Sequence, residues 1–135
     1  MEYQLSKTIT FYPEFDHNAE KADVDKIVVE YNNPTLTIMQ RLKPKTKSTA
    51  IVSLDGKIDH TELTIDDDES AILREMLKSI SSNVVYTYDG KTKNYIRNAT
   101  DLMAAPKFFE PLRKEIIAKA REILRDTDID EKNSE

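Results

Sequence analysis

The chain has no cysteine, only two glycines and only two histidines in 135 residues. Without cysteine there is no disulfide and no thiolate to act as nucleophile or metal ligand, a composition that suits a reducing compartment. His17 and His60 are the whole imidazole supply, so most nucleophilic and metal-binding constellations are missing as well. Both glycines follow an aspartate between β-type residues, in Ser53-Leu54-Asp55-Gly56-Lys57-Ile58 and Tyr86-Thr87-Tyr88-Asp89-Gly90-Lys91. Asp-Gly supplies the positive φ angles of a tight hairpin turn, so both positions read as hairpin tips and no glycine is left to cradle a phosphate. Long apolar runs are also missing: nowhere do about eighteen apolar residues follow one another. Met1 to Lys7 contain no stretch of signal-peptide character, and an intracellular address is expected.

What is present describes an ordinary globular protein. Hydrophobic residues make up 39% and charged residues 33% of the chain. Its length fits a single domain, which at this size buries roughly two-thirds of its unfolded surface. A net charge of −5 opposes bulk attraction to nucleic acid or anionic membrane.

Thr8 to Tyr12 alternate as a strand that Pro13 breaks, Glu14 to Asp25 read as a polar loop, and Lys26 to Tyr31 form a second strand. Asn33 followed by Pro34 resembles a cap and first helical position, opening a short helix along Leu36, Met39 and Leu42 that Lys43-Pro44 stops. Ala50 to Leu54 and Ile58 to Ile65 fit a hairpin. Ile72, Leu73, Met76, Leu77 and Ile80 then share one side of a middle helix, with Asp66, Asp67, Asp68 and Glu69 at its positive end. Val84 to Tyr88 and Thr92 to Ile96 flank the second Asp-Gly as the clearest hairpin. Asn98 or Thr100 caps a turn holding Leu102 and Met103, and from Phe108 to Leu124 apolar residues recur at helical intervals to about Arg125. Pro106 and Pro111 predict a kink or a start near Glu110. Glu110 with Lys114 and Glu115 with Lys119 are spaced for helix-surface pairs. The expected fold is a single α+β domain, residues 1–125, in which antiparallel hairpins pack against a long C-terminal amphipathic helix and a shorter middle helix. Residues 126–135 are expected to form a disordered acidic tail.

Several local patterns invite chemistry and are answered by simpler structure. Asp55 to Leu63 match the second half of a calcium-binding EF-hand loop, but the first ligand would be Ile51, which has no side-chain oxygen. Asp66 to Glu69 are adjacent acids that diverge, a better helix start than metal site, and His60 has no identifiable orienting partner for a role as base. His17 lies in a polar loop. Arg41, Lys43, Lys45 and Lys47 form a basic knot without interleaved aromatics, so a solvated loop is expected there. Tyr86, Tyr88 and Tyr95 gather at the second hairpin, where packing against a helix is expected. Phe108 and Phe109 lie about 100° apart on a helix, so both need not enter one core stripe; one is free to meet a partner, and both lying in the core is the equal alternative. No catalytic residue, metal or cofactor is expected.

The layout of Thr8-Ile9-Thr10-Phe11-Tyr12-Pro13-Glu14-Phe15, then Lys26 to Tyr31 leading into Asn33-Pro34-Thr35, and finally Asp101-Leu102-Met103 before a long amphipathic helix, resembles the small tail-assembly chaperones of long-tailed bacteriophages. The resemblance spans most of the chain. It implies a non-enzymatic protein in the host-cell cytoplasm that binds tape-measure and tail-tube proteins and is absent from the finished particle, with Phe108, Phe109 and Leu112 in the binding face. A homo-oligomer is compatible with it; nucleic-acid and membrane partners are not expected. Members often make a longer product by frameshifting, and Glu131-Lys132-Asn133 is compatible with an adenine-rich slip site. The two hairpins depart from the wholly helical members. That departure keeps a structural head or tail component as the first alternative and a small acidic inhibitor of a host protein as the second, with a metal-dependent hydrolase last.

Overall fold

A computed structural model describes residues 1–52, 56, 58–66 and 68–133, with side chains at 1–44, 50, 56 and 68–125. The expected α+β class is what it shows, with antiparallel sheets and a long C-terminal helix.

Strand β1 (Thr8–Phe11) pairs antiparallel with β2 (Val29–Asn32), setting Ile9 opposite Tyr31 and Phe11 opposite Val29. The polar stretch between them is more than a plain loop. It carries short 3-10 turns within Phe15–Glu20, kinked at Asp16 and His17, and at Asp23–Asp25. Asn18 is fully buried in it, accepting the Ile27 N–H at 2.6 Å and donating to the Ile27 carbonyl at 3.0 Å. Both polar ends of that amide are thereby satisfied, which a buried amide requires.

Helix α1 (Leu36–Arg41) opens two residues later than the Asn33-Pro34 pair predicts, because Thr35 is the cap, its hydroxyl accepting the Ile38 N–H. Asn33 is engaged elsewhere: its backbone N–H reaches the Lys7 carbonyl and its side chain the Ser6 carbonyl, extending the β1–β2 pairing. Strands β3 (Lys45–Val52) and β4 (Ile58–Asp66) form the first expected hairpin as a sheet of their own, with Gly56 at φ +85°. Lys45 and Lys47 thus belong to a strand rather than a basic loop.

Helix α2 (Glu69–Met76) ends four residues before the sequence pattern suggests, and β5 (Leu77–Ile80) follows without a linker, pairing with β2 to give the order β1-β2-β5. The register explains the misreading. Leu77 opposes Tyr31, Ser79 opposes Glu30 and Ile80 opposes Val29, so Lys78 is an extra, bulged residue. The bulge resets the alternation and lets both Leu77 and Ile80 face the core, imitating helical i, i+3 spacing in an extended segment.

The second hairpin is shorter than expected: β6 (Val85–Tyr86) and β7 (Asn94–Tyr95) pair over two residues each. Helix α3 (Ala99–Met103) is capped by Asn98, whose side chain accepts the Asp101 N–H, while Asp101 accepts the Arg97 N–H in return. Pro106 leads into a 3-10 turn, Lys107–Phe109, and α4 (Glu110–Asn133) starts at Glu110 as the prolines predict, with Pro111 in its first turn where no amide donor is needed. Its buried stripe among the described side chains is Leu112, Ile116, Ile117, Ala120 and Ile123, and the helical backbone runs past Arg125. The backbone of residues 126–133, expected in a disordered acidic tail, instead continues α4, and the side chains there lie outside the described residues.

The core fills the space between the β1-β2-β5 sheet and helices α2, α3 and α4. Tyr31 sits at its centre, fully buried, donating from its phenol to the Ile116 carbonyl of α4 at 2.8 Å. Burial, with the Glu115 charge adding to it, pushes the Tyr31 phenol well above its ordinary value of 10.0. A raised folded-state value means that the contribution of Tyr31 is complete below the ordinary phenol range and is lost as the pH rises beyond it. In an alkaline titration the phenolate absorbance of Tyr31 is expected only together with loss of the far-UV helix signal, and Tyr31→Phe should delete that step. Ionisation of Tyr31 within a still-folded protein would contradict this.

Candidate docking surface

The densest grouping of aromatic side chains draws on three separated segments. Phe15 comes from the turn after β1, Tyr86 and Tyr88 from the second hairpin, and Phe108 and Phe109 from the 3-10 turn before α4. Phe15 lies 5.8 Å from both Phe108 and Phe109, the first contact edge-on; Phe108 meets Phe109 edge-on at 5.1 Å. Tyr86 joins the group at 5.5 Å from Phe109 and passes it to Tyr88 at 5.6 Å. These separations suit aromatic pairs, each contributing about 0.5–1.5 kcal/mol beyond area burial.

Neighbouring positions in a tight turn point to different sides, and Phe108 and Phe109 divide accordingly. Phe109 is 7% exposed and Leu112 0%, both inside the core, whereas Phe108 is 71% exposed. Of the three residues expected in a partner-binding face, Phe108 alone offers its ring to solvent; Phe109 and Leu112 are taken up by the chain's own core because they continue the buried stripe of α4. Tyr88, 82% exposed, extends the patch on the hairpin side. Tyr86 packs against Phe109 as expected of a strand tyrosine, while Tyr95 instead lies beneath the Arg97 guanidinium, 4.3 Å from its ring centre.

Phe15 and Glu115 are the members of this region that the sequence did not reveal. The two oxygens of Glu115 accept the backbone N–H groups of Glu14 and Phe15 at 2.9 and 3.0 Å. The expected Glu115–Lys119 pair does not form; Lys119 approaches Glu122, and Glu110–Lys114 does pair at 3.4 Å. A contact between residues a hundred positions apart leaves no local spacing signal to read.

The Tyr88 side of the patch is shaped by Asp89. Gly90 sits at φ +75°, its N–H donating to the Thr87 hydroxyl, and Asp89 accepts from the backbone of Lys91 and Thr92. These bonds, Thr92 first and Lys91 next, hold the Asp89 carboxyl below its ordinary 3.8. A depressed folded-state value means that the contribution of Asp89 is complete above that ordinary value and is lost as the pH falls through the lower one. Acid titration followed by NMR should therefore leave the Lys91 and Thr92 amide shifts constant down to the ordinary carboxylate range and move them together below it. Movement already near neutral pH would disprove this arrangement.

The other candidate positions are brought to no common site. His17 is exposed, and it and Asp16 occupy the left-handed region at φ 54° and 56°. The His60 side chain lies outside the described residues, and its backbone is part of β4 opposite Ile51. Ile58–Asp66 being a strand, the half EF-hand pattern lacks the helix that should follow it. Asp68 caps α2 through the Ala71 N–H, and Glu69 pairs with Arg113 at 2.7 Å and Arg121 at 3.2 Å, tying α2 to α4. Asp67 is outside the described residues. Arg41 is bonded to Glu75 at 2.7 Å. Among the described residues no group of three acidic, histidine or cysteine side chains is placed to hold a metal, and no helix is long and apolar enough to cross a membrane.

A groove of about 670 Å³ lies between α1, α2 and α4, with Leu36, Met39, Leu42, Ile72 and Leu124 along it. Among the described residues its ionisable lining groups are Lys43, Arg121 and Arg125, all cationic. No known protein family, curated protein or solved structure matches the chain.

Proposed function

We propose that this protein is a non-enzymatic docking factor, working through the aromatic patch around Phe108 on another polypeptide. The single observation behind this reading is the 71% exposure of Phe108 on a base of packed rings drawn from three segments. A large apolar ring held in place on its own side chains loses little further freedom on binding, so much of its burial, about 1.5–3 kcal/mol for a fully covered Phe, is available to the complex. Aromatic anchors of this kind are common among the residues that dominate protein interfaces.

The setting follows from the resemblance of the sequence to small tail-assembly chaperones. In that setting the partners are the tape-measure protein and the tail-tube subunit, met in the host cytoplasm before assembly. Co-expression with the tape-measure protein tests it: the expected result is a soluble complex that survives gel filtration, with the protein missing from purified particles. Failure to associate under conditions where the tube protein assembles would overturn the proposal. Recovery from finished particles would instead make it a structural component.

A further inference from the structure

We infer that Glu115 is a positioning residue for the docking patch, fixing Phe15 beneath Phe108 through a carboxylate clamp on the backbone; this rests on the docking reading above. The geometry is specific. Glu115 projects from the second turn of α4, and its two oxygens take one N–H each from successive residues, Glu14 and Phe15. Charge-assisted bonds of this kind are about twice as strong as neutral ones. They hold the chain just after buried Pro13, while the paired bonds of Asn18 to Ile27 hold it further on.

Between the two sets of bonds lie Asp16 and His17, consecutive non-glycine residues in the left-handed region. Such a conformation persists only where its surroundings hold it. Phe15 is therefore not placed by its own packing alone. Remove the clamp and the strained pair can relax, carrying Phe15 away from Phe108 and Phe109 and leaving Phe108 with one of its two edge-on contacts, that to Phe109. Within the loop, the Asp16 carboxylate is itself paired with Lys21 at 3.1 Å.

The test compares wild type, Glu115→Ala and Glu115→Gln in the full chain. Amide exchange and ring contacts of Phe15 are measured by NMR, and affinity for the tape-measure protein is measured separately. Glu115→Ala should speed exchange at the Glu14 and Phe15 amides by about tenfold or more, with loss of the Phe15–Phe108 contacts and an affinity lower by about tenfold. Glu115→Gln, which keeps one acceptor oxygen, should fall between. Unchanged exchange at those two amides in Glu115→Ala would overturn the inference, as would faster exchange with unchanged affinity. If the wild type itself fails to bind, the docking reading fails, and the positioning role is then decided by the exchange and ring-contact measurements alone.

Discussion

Leu112→Ala is expected to lower the stability of the fold by about 2–5 kcal/mol, the range for deleting most of a buried leucine side chain. Leu112 is 0% exposed and lies in the stripe that α4 turns toward α2, α3 and the β1-β2-β5 sheet. Leu112 belongs to a core cluster drawn from several elements, so little of the space left behind can close by local movement. Chemical denaturation should show a lower midpoint with an unchanged slope. A loss below about 0.5 kcal/mol, typical of surface positions, would mean that Leu112 is not a core residue and would restore it to the partner-binding face.

Phe108→Asp is the complementary substitution. It removes a ring that is 71% exposed and sets a charge in its place. The fold should lose about 1–3 kcal/mol, the scale of the two edge-on contacts to Phe15 and Phe109 together. Affinity for the tape-measure protein, by contrast, should fall at least about thirtyfold, equivalent to the ~2 kcal/mol of a dominant interface residue, with further loss from desolvating the new carboxylate. Circular dichroism and melting separate the two effects. Undiminished affinity in a folded Phe108→Asp protein would remove the ring from the binding account.

The contrast between these neighbours also shows how far the sequence could be read. Periodicity located α4 and its buried stripe, and the prolines placed its start at Glu110, because helical spacing and missing amide donors are local properties. Periodicity misassigned Leu77 and Ile80, since the bulge at Lys78 places in a strand the spacing of a helix. No local rule distinguishes the two over four residues; the choice is made by β2, forty-odd positions earlier, which through Val29 and Tyr31 offers Ile80 and Leu77 a partner strand. The division of labour between Phe108 and Phe109 was half legible. Adjacent aromatics were bound to diverge, but which ring turned inward depended on Tyr86 and Phe15, drawn from distant segments. The Glu115 clamp was illegible for the same reason. Its donors are backbone groups, which carry no residue signature.

The central claim is that Phe108 and its supporting rings form the surface on which another polypeptide docks. Amide exchange of the full chain with and without the tape-measure protein addresses it directly. The account predicts a stable complex with slowed exchange confined to the segments around Phe15, Tyr88 and Phe108, and no such slowing in Phe108→Asp. Slowed exchange limited to α1 and the groove beside Leu36 and Met39, or no complex at all, would contradict it.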